Sequence, residues 1–382
     1  MIRSDPELAA AVGPRVRKSP FFDATVRAGL AAVSTYNHMW LPMSYGDTDE
    51  EYRRLTTGVS MWDVAAQRHT EVSGADADAL TQLVTAVDVS GTPKGQAIYA
   101  PMVDHAGTLI NDPVLLHWFD GSWRFSIADS DVRLWIAAIA HGEGLDACVR
   151  ELDTATLAIQ GPLAFDVTDA LGWPWARELD EFAMRTGEIA GLDVAVCRSG
   201  WSSEDGVEIF LDDATTESAE RLWDEVAEAG RPFDIGPGAP HATERLENTF
   251  LSYGTDTGYD ADPIELGMED TLDLDGPAFI GQDVLRRIRE IGPTRRLRGV
   301  VIDGDALDTL PHPVPFEVDG DRVGLLRAAN WSPRFGRNIG LVLADATCTP
   351  DTVGTVFTPA GARRAEVVDL PFAEHLAEAD AS

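Results

Sequence analysis

The chain has 382 residues, 44% of them hydrophobic and 25% charged, which is the composition of a globular protein of about two or three domains. Thirty lysines and arginines stand against 64 aspartates and glutamates, so the formal net charge is −34 at pH 7. Because such a surface repels phosphate backbones and anionic lipids, it argues against nucleic-acid and membrane-surface binding.

The first regular pattern is a strand followed by a helix. Residues 68–72 alternate apolar and polar side chains and end at Gly74. Asp76 then occupies an N-cap position ahead of apolar residues at helical spacing over 77–84. The next predicted strands, the first two separated by a turn, are 96–103, 113–119 and 122–128.

The middle of the chain continues this mixture of helices and strands. Gly161-Pro162 follows two strand-like runs, and Pro162 is predicted to be the first residue of a helix. The strands predicted here are 149–152, 155–160, 192–197 and 206–211, and the helices are 131–141, 215–229 and 241–253. Such mixing predicts an α+β architecture rather than a doubly wound sheet.

The pattern changes near Gly292-Pro293. Beyond it come short strands separated by turns, which predict a separate small β-barrel or sandwich. These strands are 296–303, 314–318, 322–327, 339–344 and 352–358.

Lysine is almost absent, with Lys18 and Lys94 the two that occur. Lysine depletion with excess acid is typical of a protein working at molar salt, where the Debye length falls to about 3 Å and self-repulsion is screened. A high-GC genome that writes Arg for Lys explains the lysines but not the acidity. We therefore expect a halophilic protein.

The cysteines Cys148, Cys197 and Cys348 lie far apart, which predicts neither a disulfide framework nor a zinc site. Residues 1–20 carry charges throughout and show no apolar core of a signal peptide. No apolar run approaches the 18 or so residues that a membrane span needs. These features predict a cytoplasmic protein.

Several common catalytic motifs are missing from the sequence. It has no GK[ST] phosphate loop, no GxGxxG after a strand, no GxSxG and no HExxH. The eight histidines are scattered, so no metal site is predicted. Generic motifs alone indicate an acidic enzyme of unknown reaction.

Short runs spread from about residue 30 to 372 together resemble the folate-dependent aminomethyltransferase family, whose type member is the glycine-cleavage T protein. The runs are Leu109-Ile110-Asn111-Asp112, Ala158 to Pro162, Arg198 to Trp201, Glu204 to Ile209, Arg245-Leu246-Glu247, Ser252 to Asp256, Trp331-Ser332-Pro333 and Pro371-Phe372. The resemblance implies an α+β fold of three domains around a central folate channel. Residues 1–290 would form two interleaved α+β subdomains that bind folate, and 293–375 a C-terminal β-barrel.

Other runs resemble the dimethylsulfoniopropionate demethylase branch of the family. They are Tyr36 to Met39, Trp62 to Ala66, Asn111-Asp112-Pro113, Ile127 to Asp131 and Gly236-Pro237-Gly238. His241-Ala242-Thr243-Glu244 replaces the Ala-Arg-Asp run of the T protein. Glu204-Asp205-Gly206, in contrast, is more similar to the T protein.

The resemblance implies a catalytic role for Asp112 beside nitrogen 5 of tetrahydrofolate and the transferred methyl group. A carboxylate there suits a reaction in which the product nitrogen must lose a proton. Without the resemblance, Asn111-Asp112-Pro113 indicates an ordinary turn.

The resemblance also implies a set of folate contacts. Glu208, between Val207 and Ile209, matches a glutamate that accepts two hydrogen bonds from the pterin. Tyr99, thirteen residues before Asp112, matches a folate-contacting tyrosine, although an isolated strand tyrosine is equally a core residue. Arg245 either supports the folate site or forms a surface ion pair.

A cationic donor favours aromatic faces, and residues at matching positions are candidates for binding it. They are Tyr36, Trp201, Phe210 and Trp331. Each of them could equally be a core residue. Phe210 replaces a tyrosine of the demethylases, so it keeps the ring face and loses the hydroxyl.

These features lead us to expect a tetrahydrofolate-dependent methyltransferase that demethylates dimethylsulfoniopropionate to methylmercaptopropionate and forms 5-methyltetrahydrofolate. Its partners would be tetrahydrofolate, as methyl acceptor, and a small-molecule methyl donor. The alternatives are the glycine-cleavage aminomethyltransferase, which needs a lipoylated carrier, and a demethylase of another donor such as glycine betaine.

Overall fold

A computed structural model describes residues 15–376. Residues 1–14 and 377–382 lie outside the described part. Most of residues 1–20, where no signal peptide is expected, therefore also lies outside it. Within 15–376, no helix is both long and apolar enough to cross a membrane.

The helices have local sequence signals at several of their ends. Thr215 caps the longest helix of the described part with a reciprocal capping box, in which Thr215 and Ser218 bond each other's backbone. Asp47 caps another through a side-chain bond from the Glu50 N–H. In chain order the helices are α1 (Phe22–Arg27), α2 (Thr48–Thr57), α3 (Ala77–Val84), α4 (Val132–Glu143), α5 (Ala164–Ala170), α6 (Thr216–Gly230), α7 (Ala242–Glu247), α8 (Gln282–Ile291) and α9 (Phe372–His375).

The strands are mostly short. They are β1 (Ala32–Tyr36), β2 (Met39–Ser44), β3 (Ser60–Asp63), β4 (His69–Ser73), β5 (Gln96–Tyr99), β6 (Met102–Val103), β7 (Leu109–Asn111), β8 (Val114–His117), β9 (Trp123–Ser126), β10 (Cys148–Leu152), β11 (Ala155–Gln160), β12 (Met184–Ile189), β13 (Leu192–Cys197), β14 (Gly206–Leu211), β15 (Gly236–Gly238), β16 (Arg295–Ile302), β17 (Val314–Val318), β18 (Asp321–Ser332), β19 (Arg337–Asp345), β20 (Val353–Thr358) and β21 (Gly361–Val368).

Two larger, mainly antiparallel sheets dominate the part before residue 290, with orders β12-β13-β14-β11-β3-β15 and β10-β4-β9-β8-β5. Two small sheets, β1-β2 and β6-β7, accompany them. In β14, alternation sends Val207, Ile209 and Leu211 into an apolar core shared with Leu222 and Val226 of α6. Glu208 and Phe210 therefore lie on the opposite face of the strand.

The C-terminal part is a closed barrel of order β16-β19-β18-β17-β20-β21. Its interior holds an apolar cluster that includes Val300, Phe316 and Val342. Leu297, Ile339 and Phe372 belong to a second cluster that packs the barrel against Leu246 of α7 and its neighbours. The predicted α+β fold with a C-terminal barrel is confirmed.

The helix predicted over 241–253 is shorter than expected, because α7 ends at Glu247. Thr249 has a left-handed backbone with a φ of 60°, and the Phe250 N–H bonds back to the carbonyl of Arg245. Residues after 248 therefore form a loop. The strand predicted over 96–103 is likewise two strands, broken at Ala100-Pro101, where Pro101 has no N–H to donate.

Of two predictions about helix starts, one is confirmed and one is wrong. Asp76 is the N-cap residue of α3 as predicted, although its side chain does not cap the helix, and its Oδ2 accepts the N–H of Asp146 over 2.7 Å. Pro162 is not the first residue of α5, which begins at Ala164 after a turn through Gly161. A Cβ on Gly161 would lie 2.5 Å from the carbonyl oxygen of Gly58, so only glycine fits this approach.

Several elements were not anticipated from the sequence. Among them are the early strands β1, β2 and β3, and later β12, α8 and the barrel strand β21. β12 and β21 carry many exposed polar residues, and β21 includes the consecutive charges Arg363-Arg364, which obscure strand alternation.

Candidate active site

Asp112 and Tyr99 meet through strand pairing. β7 ends at Asn111, and Asp112-Pro113 then turns the chain into β8. Tyr99 pairs with Val114, which brings its hydroxyl to the turn. The Tyr99 hydroxyl donates to Asp112 Oδ2 over 2.9 Å. The thirteen-residue spacing therefore places these two side chains in contact.

The second oxygen of Asp112, Oδ1, is sealed from solvent and has no hydrogen-bond partner among the described residues. Burial raises the pKa of Asp112 to about 7, opposed by the hydrogen bond from Tyr99, and the negative charge of Asp256 raises it further. A carboxyl with this pKa exchanges protons near neutral pH, as a general base must.

Asn111 ties the Asp112 turn to the loop after β9. Its Nδ2 donates to Ser130 Oγ over 2.8 Å, and its Oδ1 accepts the Ala128 N–H over 3.0 Å. Asn111 itself is fully buried. The loop that carries Asp129 is therefore fixed to the strand that precedes Asp112.

Two further tyrosines lie around Asp112. Burial raises the pKa of Tyr36 strongly, and the charges of Asp112 and Asp129 raise it further. Burial likewise raises the pKa of Tyr253 to about 12, with Asp112 and Asp129 contributing. Tyr253 was not predicted as a site residue, although it belongs to the Ser252–Asp256 run that carries the family resemblance.

Glu208 lies on β14, facing away from the α6 core, and is 6% exposed. Its Oε2 accepts the Ser199 hydroxyl over 2.6 Å. Burial raises the pKa of Glu208, and hydrogen bonds from Ser199 and Gln67 oppose this. Neither Ser199 nor Gln67 was predicted from the sequence as a partner of this carboxylate.

Ser199 is held by Gln160, whose amide passes between two glycines. Gln160 Nε2 donates to the Ser199 carbonyl over 3.1 Å, and its Oε1 accepts from Ser202 over 2.7 Å. A Cβ on Gly200 or Gly206 would lie 2.0 or 2.1 Å from the Gln160 amide. The glycines of this run therefore allow the close approach that positions Ser199.

Arg245 of α7 is buried, and its ion pair is not on the surface. Its Nη1 donates to Asp256 Oδ2 and, over 3.2 Å, to the carbonyl of Phe250. Its guanidinium also lies 5.9 Å from the ring centre of Trp201. Arg245 thus connects the loop that carries Tyr253 with the loop that carries Trp201.

Phe210 and Trp331 have other surroundings. Phe210 is 2% exposed and packs against His69 and Trp118, with ring centres 5.1 and 6.2 Å away. Trp331 is half-buried and lies on the face of β18 opposite Asn330 and Ser332, the residues that contact α7.

A second buried polar cluster joins α7 to the barrel. Glu247 accepts from Tyr52 over 2.7 Å and from Ser332 of β18. Glu244 accepts from Ser203 over 3.0 Å, and burial raises its pKa to about 7. Glu247 lies in a helix as predicted, whereas this cluster was not predicted from the sequence.

The residues fit tetrahydrofolate, because a pterin presents several N–H donors. Glu208 is a buried carboxylate with no cation among the ion pairs of residues 15–376, and Asp112 Oδ1 is a buried acceptor without a donor. The Glu208 carboxylate and Asp112 Oδ1 both suit a ligand that brings N–H groups. In the same described part, no group of three or more His, Cys, Asp or Glu side chains could hold a metal ion.

Family models cover most of the chain. The GCVT N-terminal domain matches residues 21–276, and the glycine cleavage T-protein C-terminal barrel domain matches residues 295–374. The crystal structure of aminomethyltransferase T from Bartonella henselae has a TM-score of 0.82 and 20% identity, covering 95% of this chain and 100% of that chain. This likeness concerns the fold.

Similar sequences extend along nearly the whole chain. Dimethylsulfoniopropionate demethylase DmdA of Ruegeria pomeroyi is 32% identical over 350 residues, 91% of this chain and 95% of the relative. The aminomethyltransferase of Moorella thermoacetica is 28% identical over 364 residues, 94% of this chain and 98% of the relative. The aminomethyltransferase of Thermotoga maritima is 27% identical over 365 residues, again 94% and 98%.

The predicted family, its enzymatic nature and its use of tetrahydrofolate are confirmed by these matches. The chain belongs to the glycine-cleavage T protein family of folate-dependent aminomethyltransferases and is an enzyme that uses tetrahydrofolate.

Proposed function

We propose that the protein demethylates dimethylsulfoniopropionate, transferring one methyl group to tetrahydrofolate and releasing methylmercaptopropionate. The observation that carries the proposal is the Asp112 carboxyl, whose Oδ2 is bonded by Tyr99 and whose buried Oδ1 has no partner within 15–376 and can accept a proton. The 32% identity to a dimethylsulfoniopropionate demethylase supports the choice of donor.

Tetrahydrofolate supplies the nitrogen that receives the methyl group while the carbon–sulfur bond breaks and its electron pair stays on sulfur. Asp112 Oδ1 accepts the proton that this nitrogen must lose. Tyr99 orients the carboxyl by holding Oδ2. Alignment of the two substrates accounts for most of the acceleration, because a displacement at carbon needs its partners in line.

Glu208 is the proposed anchor for the pterin, held in orientation by Ser199. Arg245 acts as a positioning residue, because its buried pair with Asp256 fixes the loop that carries Tyr253. Tyr36 and Trp201 are the proposed aromatic contacts of the donor. Phe210 and Trp331 are left out of the donor site, because the contacts of Phe210 are with core residues and Trp331 faces away from α7.

The test is an assay in molar salt with tetrahydrofolate and dimethylsulfoniopropionate, following 5-methyltetrahydrofolate. Parallel reactions contain glycine betaine or a lipoyl carrier bearing the glycine-derived aminomethyl group. Methyl transfer from the sulfonium alone is the expected result. Product from the lipoyl carrier instead would identify an aminomethyltransferase, the alternative that the 27–28% identical relatives favour.

A further inference from the structure

We propose that Asp129 is the counter-ion that makes the Asp112 site select cationic methyl donors over their neutral counterparts. The inference rests on the proposed function for the choice of donor and goes beyond it by naming the recognition group. It stands on the position of the Asp129 carboxylate between two loops that carry tyrosines.

The first loop is the hairpin turn between β1 and β2. Asn37 and His38 both have left-handed backbones, with φ of 48° and 60°, as a two-residue hairpin turn of this type requires. The turn brings the Asn37 N–H to Asp129 Oδ1 over 2.7 Å. Tyr36 is the residue directly before this turn, so Oδ1 lies beside the Tyr36 loop.

The second loop follows α7. Gly254 has a φ of 89°, and a Cβ built on it would lie 4.0 Å from Asp129 Oδ2. Tyr253 directly precedes Gly254. The two oxygens of Asp129 therefore face the two loops that present Tyr36 and Tyr253, and the charge of Asp129 raises the pKa of both phenols.

The Asp129 loop is held rigidly against the Asp112 strand. Ala128 and Ser130, its two neighbours, both bond the side chain of Asn111. Among residues 15–376, the ion pairs do not include Asp129, and its hydrogen-bond partner is a backbone N–H. The side chain of Asp129 is exposed, so a cation from solution can reach it. A cation between the Tyr36 and Tyr253 loops would therefore meet the carboxylates of Asp112 and Asp129, while the charge of Asp256 is paired with Arg245.

A methylated sulfonium or ammonium group spreads its charge over its methyl groups, so it favours aromatic faces with a carboxylate nearby. Transfer of one methyl turns the sulfonium into a neutral thioether, which a carboxylate no longer attracts. Asp129 is thereby expected to favour binding of the donor and release of the product.

The experiment compares two pairs of small ligands by calorimetry with the full chain. One pair is dimethylsulfoniopropionate and methylmercaptopropionate, and the other is choline and its neutral carbon isostere 3,3-dimethylbutanol.

The variants are Asp129→Asn, which keeps an acceptor for the Asn37 N–H, and the control Asp131→Asn. Asp131 is, like Asp129, an exposed carboxylate on this loop, but it lies 3.4 Å from His38 Nε2 and does not bond the Asn37 N–H. Demethylation kinetics are measured in parallel.

The wild type and Asp131→Asn should bind the cation of each pair more tightly than its neutral counterpart. In Asp129→Asn, the ratio of the two dissociation constants should fall about three- to tenfold. Asp129→Asn should also raise the KM for the sulfonium with kcat little changed. An unchanged preference in Asp129→Asn, or no preference in the wild type, overturns the inference even if demethylation proceeds. If the wild type prefers the cation but does not demethylate the sulfonium, the proposed function is contradicted. The role of Asp129 is then still decided by whether Asp129→Asn loses the cation preference.

Discussion

The carboxyl group of Asp112 has two oxygens in different environments. Oδ2 accepts the Tyr99 hydroxyl, whereas Oδ1 is buried without a partner among the described residues. The resulting pKa of about 7 lets one residue exist in both protonation states near neutrality. Substitutions of Asp112 and of Tyr99 therefore test the proposed chemistry most directly.

Asp112→Asn should lose most of the turnover and retain tetrahydrofolate binding. The amide has nearly the shape of the carboxyl but cannot accept the proton, and loss of a general base typically costs about a hundredfold to ten-thousandfold in rate. Single-turnover kinetics together with folate titration measure both effects. Wild-type turnover in this variant would remove Asp112 from the mechanism.

The pH dependence should follow from the raised pKa of Asp112. Only the ionised carboxyl accepts a proton, so kcat/KM should rise with pH through about 7. The Tyr99 hydrogen bond lowers this pKa, and Tyr99→Phe should therefore move the rise to higher pH. A pH–rate profile of both proteins checks this, and a midpoint that shifts downward in Tyr99→Phe would contradict it.

Glu208→Gln should weaken tetrahydrofolate binding more than it slows the bound complex. A hydrogen bond to a charged group is worth about 1.5–3 kcal/mol, which corresponds to roughly a tenfold to hundredfold change in Kd. Glu204→Gln is the matched control, since Glu204 is a half-buried carboxylate off the sheet. Equal folate affinity in the two variants would make Glu208 a structural residue.

At the scale of elements, the site depends on how the loop 199–202 is held against β11 and β14. Gln160, at the end of β11, bonds both the Ser199 carbonyl and the Ser202 hydroxyl. Gly200 and Gly206 leave the space that its amide fills. Small residues at these positions thus orient Ser199, and through it the carboxylate of Glu208.

Gly200→Ala should displace the Gln160 amide and lower the free energy of unfolding by about 1–3 kcal/mol, because the added methyl overpacks a buried contact. Folate affinity should fall as Ser199 moves. In a Gln160→Ala background the same substitution should cost much less, because the clashing amide is gone. Denaturant unfolding of the four proteins checks the coupling, and additive effects would show that the clash is not the cause.

At the scale of the whole molecule, the proposed site draws on distant parts of the chain. Its proposed members lie near 36, 99–112, 199–208 and 245–256, and α7 also docks on the barrel through Glu247 and Ser332. The net charge of −34 opposes this assembly by self-repulsion. Screening of that repulsion is the physical basis for expecting salt adaptation.

The melting temperature should rise by several degrees between low salt and molar KCl, because the Debye length falls from about 10 Å at 0.1 M to about 3 Å at 1 M. Differential scanning calorimetry in KCl and in sucrose of equal osmolality separates screening from solute exclusion. An equal gain in both solutes would contradict the charge-screening explanation.

Local patterns were sufficient for much of the fold. The helical spacing over 77–84 and over 215–229 corresponds to α3 and α6, since both patterns arise from residues a few positions apart. The end of α7 escaped prediction because Thr249, which carries no glycine-like signal, adopts a left-handed backbone there. The strand β21 escaped prediction because the charges of Arg363 and Arg364 obscure its alternation. The family runs placed Asp112 and Glu208 among the candidates through resemblance alone.

By itself, the sequence determined the family, the acidic surface and most of the regular elements. Only the tertiary structure decided that Tyr99 bonds Asp112, that Asp129 lies between the Tyr36 and Tyr253 loops, and that Phe210 packs in an apolar core. The reason is physical. Periodicity and capping depend on neighbours along the chain, whereas burial, Coulomb interaction and the pKa of a carboxyl depend on distances in space.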